Sequence, residues 1–157
     1  MYALLETAKE IGVPHTYVHF FGDGRDTAPR SAVGYAKDLL NFIKKEGYGE
    51  IATVVGRYYA MDRDKRWERV KIAVDGLVQG KGEKGEDVVK AIEENYEKDL
   101  TDEFLKPIIV NGSEGRIKGE ISIYIFDGVT HHVIPSQIAI LFSSSTTVPI
   151  VCARLSL

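Results

Sequence analysis

The chain has 157 residues, 44% of them hydrophobic and 27% charged, and its formal net charge is -3. That length suits one domain around a single core, and that charge provides no global basic field for nucleic acid or a membrane surface, so any anion site must be a local cluster of Arg or Lys. Cys152 is the single cysteine, which excludes an intramolecular disulfide and a thiolate metal cage; no basic segment leads into an apolar one at the N-terminus, and no run reaches the roughly 18–20 apolar residues of a membrane span, so the expected location is the cytoplasm.

Ala3, Leu4, Ala8 and Ile11 recur at helical spacing and Gly12 ends the run. This first helix opens at residue 2 without a capping side chain, as a clipped helix would. Val13 to Phe21 is rich in Val, Tyr, Phe and His and reads as a buried strand, followed by the loop Gly22-Asp23-Gly24-Arg25-Asp26. Ser31 is placed to cap a second helix, which carries Tyr35, Leu39, Phe42 and Ile43 on one face and stops near Gly47. Ile51 to Val55 is a short apolar run and reads as a second strand. After the loop Arg57 to Met61, Asp62 is the expected cap of a third helix containing Trp67, Val70, Ile72, Val74 and Leu77. Gly80 to Gly85 is a surface turn, and a fourth helix is expected from Asp87 to Glu97 with Val88, Ala91, Ile92 and Tyr96 inward. Ile108 to Val110 reads as a strand. Strand–helix alternation of this kind predicts an α/β layered domain, a mainly parallel sheet flanked by helices.

Composition changes after Glu120: of the Lys, Arg, Asp and Glu residues, only Asp127 and Arg154 lie beyond it. The tail is built of Ile, Val, Ser and Thr. Residues 1–119 therefore read as one domain and 120–157 as an apolar tail of uncertain order. Two readings of the tail are open: edge strands, or a segment foreign to the fold, produced by altered splicing or reading frame. Segments of this kind are β-prone and sticky when unpaired.

Two loops, each directly after a predicted strand, carry the most chemistry. They are Asp23 to Thr27 and Gly56 to Asp64, and together they present Arg25, Arg57 and Arg63, with Arg66 one turn further on. Ligands of parallel α/β sheets gather at the carboxyl ends of strands. Arg grips carboxylate and phosphate through paired N–H donors. Asp26 is suited to accept a hydrogen bond from a substrate hydroxyl or to take its proton. The residues alone leave a second reading open, in which these Arg and Asp side chains only pair with one another.

Other motifs are weaker. Gly22-x-Gly24 lacks the third glycine of a dinucleotide loop, and Lys81 to Gly85 lacks the Gly-Lys-Ser/Thr of a phosphate loop. His131 and His132, being adjacent in an extended segment, point to opposite faces and do not make a metal site. His15 and His19 belong to the first strand and are expected to pack. Trp67 and Tyr96 are expected in the core.

Val18 to Thr27, continued by Pro29-Arg30-Ser31-Ala32, resembles a signature of the cofactor-independent (2,3-bisphosphoglycerate-independent) phosphoglycerate mutases. Gly56 to Arg69 is similar to a second signature, and Thr101-Asp102-Glu103-Phe104 with Pro107-Ile108 to a third; the resemblance covers roughly residues 2 to 118. It implies a two-domain enzyme that interconverts 3-phosphoglycerate and 2-phosphoglycerate in glycolysis. One domain holds a serine nucleophile and two metal ions, usually manganese; the other, inserted into it, positions the glycerate. It implies substrate contacts at Arg25, Asp26, Arg57 and Arg63, with Arg30, Arg66 and Arg69 bracing the loops. The serine and metal-ligand segments of the family have no match here. The resemblance thus implies a fragment of a usually monomeric, cytoplasmic enzyme, inactive alone, with no nucleic-acid or membrane partner and no catalytic or metal-binding residue of its own. The alternative is a non-catalytic anion-binding or protein-interaction fragment.

Overall fold

In a computed structural model, residues 1–118, 121–124 and 137–143 are described, the last two segments as backbone strands only. Helix α1 (Tyr2–Glu10) buries Leu5 and Ala8, and no side chain caps its start. Strand β1 (His15–Gly22) is buried along nearly its whole length. Helix α2 (Ala32–Glu46) buries Ala32, Ala36 and Leu39, one helical stripe, and ends at Gly47 with φ 60°. Strand β2 (Glu50–Gly56) leads directly into the short helix α3 (Arg57–Ala60). Helix α4 (Trp67–Val74) continues into a π-helical turn, Asp75–Gln79. Strand β3 (Glu83–Lys84) precedes helix α5 (Val88–Glu97), whose cap Asp87 accepts a hydrogen bond from Lys90 N. A 3₁₀ turn, Asp102–Phe104, leads to β4 (Ile108–Ile109), and β5 (Ile121–Tyr124) and β6 (Gln137–Ser143) follow.

The strands form one sheet in the order β3-β4-β2-β1-β6-β5. The α/β class, a sheet flanked by helices, is the one the sequence predicts. Parallel pairing joins β1 to β2 and β3 to β4, while β4 runs against β2 and β6 against β1, so the sheet as a whole is mixed. The short return from α5 through 101–107 brings β4 in from the carboxyl end of β2, which is why that pair is antiparallel. The two described segments of the tail extend the sheet beyond β1, with β6 paired along β1 from His15 to Phe21.

The main core lies on one face of the sheet, where Val18, Phe20, Ile51, Val54 and Ile108 meet Leu5, Leu39, Val88 and Ile92 of the helices. A smaller cluster on the other face joins Phe21, Val55 and Ala73 with Tyr59, Met61 and Leu77.

Several expected details differ. Ser31 stands at the start of α2 but does not cap it; its hydroxyl donates to Ala28 O at 2.8 Å. Helix α4 begins at Trp67, later than a cap at Asp62 requires, because Lys65 turns the chain with φ 60°. Asp62 instead accepts from Arg66 N at 2.8 Å. Only Ala73 of α4 is buried, and Trp67, expected in the core, is 69% exposed.

Candidate functional site

The carboxyl ends of β1 and β2 lie side by side, with Gly22 opposite Gly56. The residues immediately beyond them, Asp23 to Thr27 and Arg57 onward, therefore emerge together at one end of the sheet. The segment 102–105 crosses over both strand ends. Gly56 N donates to Leu105 O at 2.8 Å, and a Cβ at Gly56 would sit 2.2 Å from Glu103 O. Gly24 has φ +64°, and a Cβ there would meet Asp102 Cβ at 2.9 Å. Glycine is needed at both positions, at Gly56 for close approach and at Gly24 for approach and for the left-handed turn.

Arg57 is the centre of the site. Its Nη1 donates to Asp26 Oδ2 at 2.8 Å and also to Asp23 Oδ1. Asp23 is 9% exposed, while the Asp26 side chain is 77% exposed, so one guanidinium links an inner carboxylate to an outer one. Asp23 Oδ1 also accepts from Arg25 N at 3.4 Å and Asp26 N at 3.3 Å, which shapes the loop that presents those two side chains. The Asp26 carboxyl is held below its ordinary value, first by the hydrogen bond from Arg57 and by its charge, then by the charges of Arg25 and Arg63. All four residues expected at the site are therefore brought within electrostatic range of one carboxylate. Such a carboxylate stays ionised and suits hydrogen-bond acceptance rather than proton abstraction at neutral pH.

The other arginines of these loops lie against protein groups. Arg69 lies over the Tyr58 ring at 3.9 Å and 3.8 Å from Asp62. Tyr58 in turn packs on Tyr59 and Phe104. Arg30 pairs with Asp99 at 2.6 Å and lies over Tyr96 at 5.7 Å, and Arg66 lies 3.7 Å from Asp64. Among the described residues, Arg25 and Arg63 form no such ion pair, and both are exposed.

Asp23 and Asp102 are site residues that the sequence reading did not single out. Asp23 carries a readable signal, an acid directly at the strand end between two glycines. Asp102 is 1% exposed, and its Oδ2 accepts from Ser31 and Ala32, 71 and 70 positions away in the chain. His19 packs in β1, as expected, with Nδ1 2.7 Å from Thr53 Oγ1. Tyr96 is half-buried, and its hydroxyl donates to Asp102 Oδ1. Among the described residues, no group of three or more His, Cys, Asp or Glu is placed to hold a metal ion, and no helix is long and apolar enough to cross a membrane. Among the described residues, the side chains do not fit the two metal ions that the resemblance implies. His131, His132 and Cys152 lie outside the described residues.

Residues 1–127 match the family model described as "BPG-independent PGAM N-terminus". The chain belongs to this family. It is 52% identical over 130 residues to a 2,3-bisphosphoglycerate-independent phosphoglycerate mutase of Caenorhabditis elegans, covering 81% of this chain and 24% of the relative. It is 53% identical over 125 residues to the enzyme of the same name from Parabacteroides distasonis, covering 78% of this chain and 24% of the relative. Among solved structures, a Leishmania mexicana phosphoglycerate mutase at low cobalt concentration superposes with a TM-score of 0.67 at 28% identity, over 73% of this chain and 22% of that one. The chain thus spans about a quarter of the length of the phosphoglycerate mutases it matches.

Proposed function

We propose that this chain forms part of the substrate-gripping surface of a phosphoglycerate mutase that interconverts 3-phosphoglycerate and 2-phosphoglycerate, and that it has no phosphoryl-transfer chemistry of its own. The observation that carries this reading is Arg57, fixed between Asp23 and Asp26 at the joined carboxyl ends of β1 and β2, with the charges of Arg25 and Arg63 converging on the same carboxylate. In it, Arg25, Arg57 and Arg63 hold the carboxylate and phosphate of the glycerate. Asp26 accepts a hydrogen bond from its hydroxyl. Phosphoryl transfer needs charge neutralisation by metals or fixed cations in line with the transferred group. On this reading the metal ions, manganese by the resemblance, and the nucleophile come from outside the residues matched here. Residues 1–119 supply the gripping domain on this reading, and 120–157 form an apolar tail, of which 128–157 lie outside the family match. The protein acts as a monomer in the cytoplasm.

Because the chain spans about a quarter of its relatives' length, weak binding of the triply charged ligand is expected, with a dissociation constant of about 1 mM. The experiment is a coupled mutase assay on the purified, folded chain, with manganese present and no bisphosphoglycerate added. No turnover is expected. Turnover above background would place chemistry within these 157 residues and refute the division of labour.

A further inference from the structure

Asp102 sits beneath both arginine loops. Its Oδ2 accepts from the backbone N–H groups of Ser31 and Ala32, each at 2.9 Å, 71 and 70 positions away in the chain. Its Oδ1 accepts the hydroxyl of Tyr96 on α5. Its own N–H donates to Pro29 O at 2.9 Å. Its carbonyl oxygen closes over Gly22 and Gly56, where an added Cβ would come within 2.7 Å and 2.6 Å, and its Cβ closes over Gly24. One residue, 1% exposed, therefore touches the end of β1, the end of β2, the loop that carries Arg25 and Asp26, the first turn of α2, and α5.

The electrostatics explain why an acid is required there. Ser31 supplies no cap, so the first N–H groups of α2 would be buried without acceptors. A carboxylate satisfies two of them and is itself stabilised by the positive end of the helix. This also means that the α2 terminus is already occupied by a protein anion, and ligand anions must rely on arginine. The Tyr96 phenol is shifted upward, by burial and then by its bond to Asp102, so it stays a donor throughout the physiological range.

We infer that Asp102, held by Tyr96, is a positioning residue: it locks the Arg25–Asp26 loop and the Arg57 turn into one rigid frame. Its importance to substrate rests on the reading of those loops as the glycerate grip; the locking itself does not.

The test uses the whole chain as wild type, Asp102→Ala, Asp102→Asn and Tyr96→Phe. Amide hydrogen exchange is followed by NMR, together with a titration of 3-phosphoglycerate. In Asp102→Ala and Tyr96→Phe, the hydrogen-bonded amides of Gly24, Arg25, Asp26 and Gly56 should exchange about tenfold faster while those of Phe20 and Val54 keep their protection. The dissociation constant of 3-phosphoglycerate should rise about tenfold. Asp102→Asn keeps an acceptor for the Ser31 and Ala32 amides but loses the charge and the acceptor for Tyr96, so both effects should fall between those of wild type and Asp102→Ala. Faster exchange confined to Ser31 and Ala32, or spread evenly through the domain, would overturn the inference and leave Asp102 a helix cap or a general stabiliser. Should Asp102→Ala fail to fold, Tyr96→Phe removes only one bond and decides the question. A wild-type chain that binds no 3-phosphoglycerate refutes the grip reading alone, since the exchange pattern is read without ligand.

Discussion

Replacing Gly56 by Ala tests how the site is built. The backbone at Gly56 is extended, with φ −75° and ψ 150°, so alanine brings no conformational strain. What it brings is a methyl group 2.2 Å from Glu103 O and 2.6 Å from Asp102 O. Both are backbone atoms and cannot rotate away. Restoring normal contact requires the 102–105 segment to retreat by roughly 1 Å, in an interior that has little free volume. That retreat breaks the 2.8 Å bond from Gly56 N to Leu105 O. Overpacking costs about 1–3 kcal/mol and an unpaired buried amide about 1–3 kcal/mol more. We expect a loss of about 3 kcal/mol, seen as a fall of about 10 °C in Tm by calorimetry. Gly12→Ala is the control. Gly12 has φ +76° and no neighbour within 4 Å, so only the left-handed backbone penalty of about 1 kcal/mol applies. Equal destabilisation by the two substitutions would refute the claim that 102–105 clamps the strand ends.

Phe20, fully buried in the main core, should cost about 3–5 kcal/mol when changed to Ala, measured by urea unfolding. The His19 imidazole is pushed down from 6.5 to about 4 by burial. A lowered folded value means that the unfolded chain takes up the proton first, so this contribution to stability is intact above pH 6.5 and is lost as pH falls toward 4. Urea midpoints at pH 7 and pH 5 should differ accordingly, and His19→Gln should reduce the difference. Breaking the exposed Arg30–Asp99 pair with Arg30→Ala should cost under about 1 kcal/mol and leave anion affinity unchanged, whereas Arg57→Ala strands the Asp23 carboxylate and should cost about 2 kcal/mol by the same measurement.

The sequence showed the elements whose signals are local. The apolar spacing of α2 and its glycine stop, the apolar run of β2 and the span of α5 all appear where periodicity puts them. So does the convergence of Arg25, Asp26, Arg57 and Arg63, because each follows a strand end and the two strands are neighbours. What the sequence hid depends on partners far along the chain. Ser31 has the right identity for a cap, yet Asp102 takes that role from 70 positions away. Trp67 looks like core by residue type, but α4 meets the sheet through Ala73, and Trp67 is left outside. The direction of β4 depends on how 101–107 crosses the strand ends, which no window of sequence encodes.

The most direct test of the account is a titration of the purified chain with 3-phosphoglycerate, followed by NMR, alongside Arg57→Ala and Arg63→Ala. Saturable shifts are expected, centred on Arg25, Asp26, Arg57 and Arg63, with a dissociation constant of about 1 mM that rises at least tenfold in either variant. Shifts scattered over the surface, or affinity unaffected by removing Arg57, would contradict it.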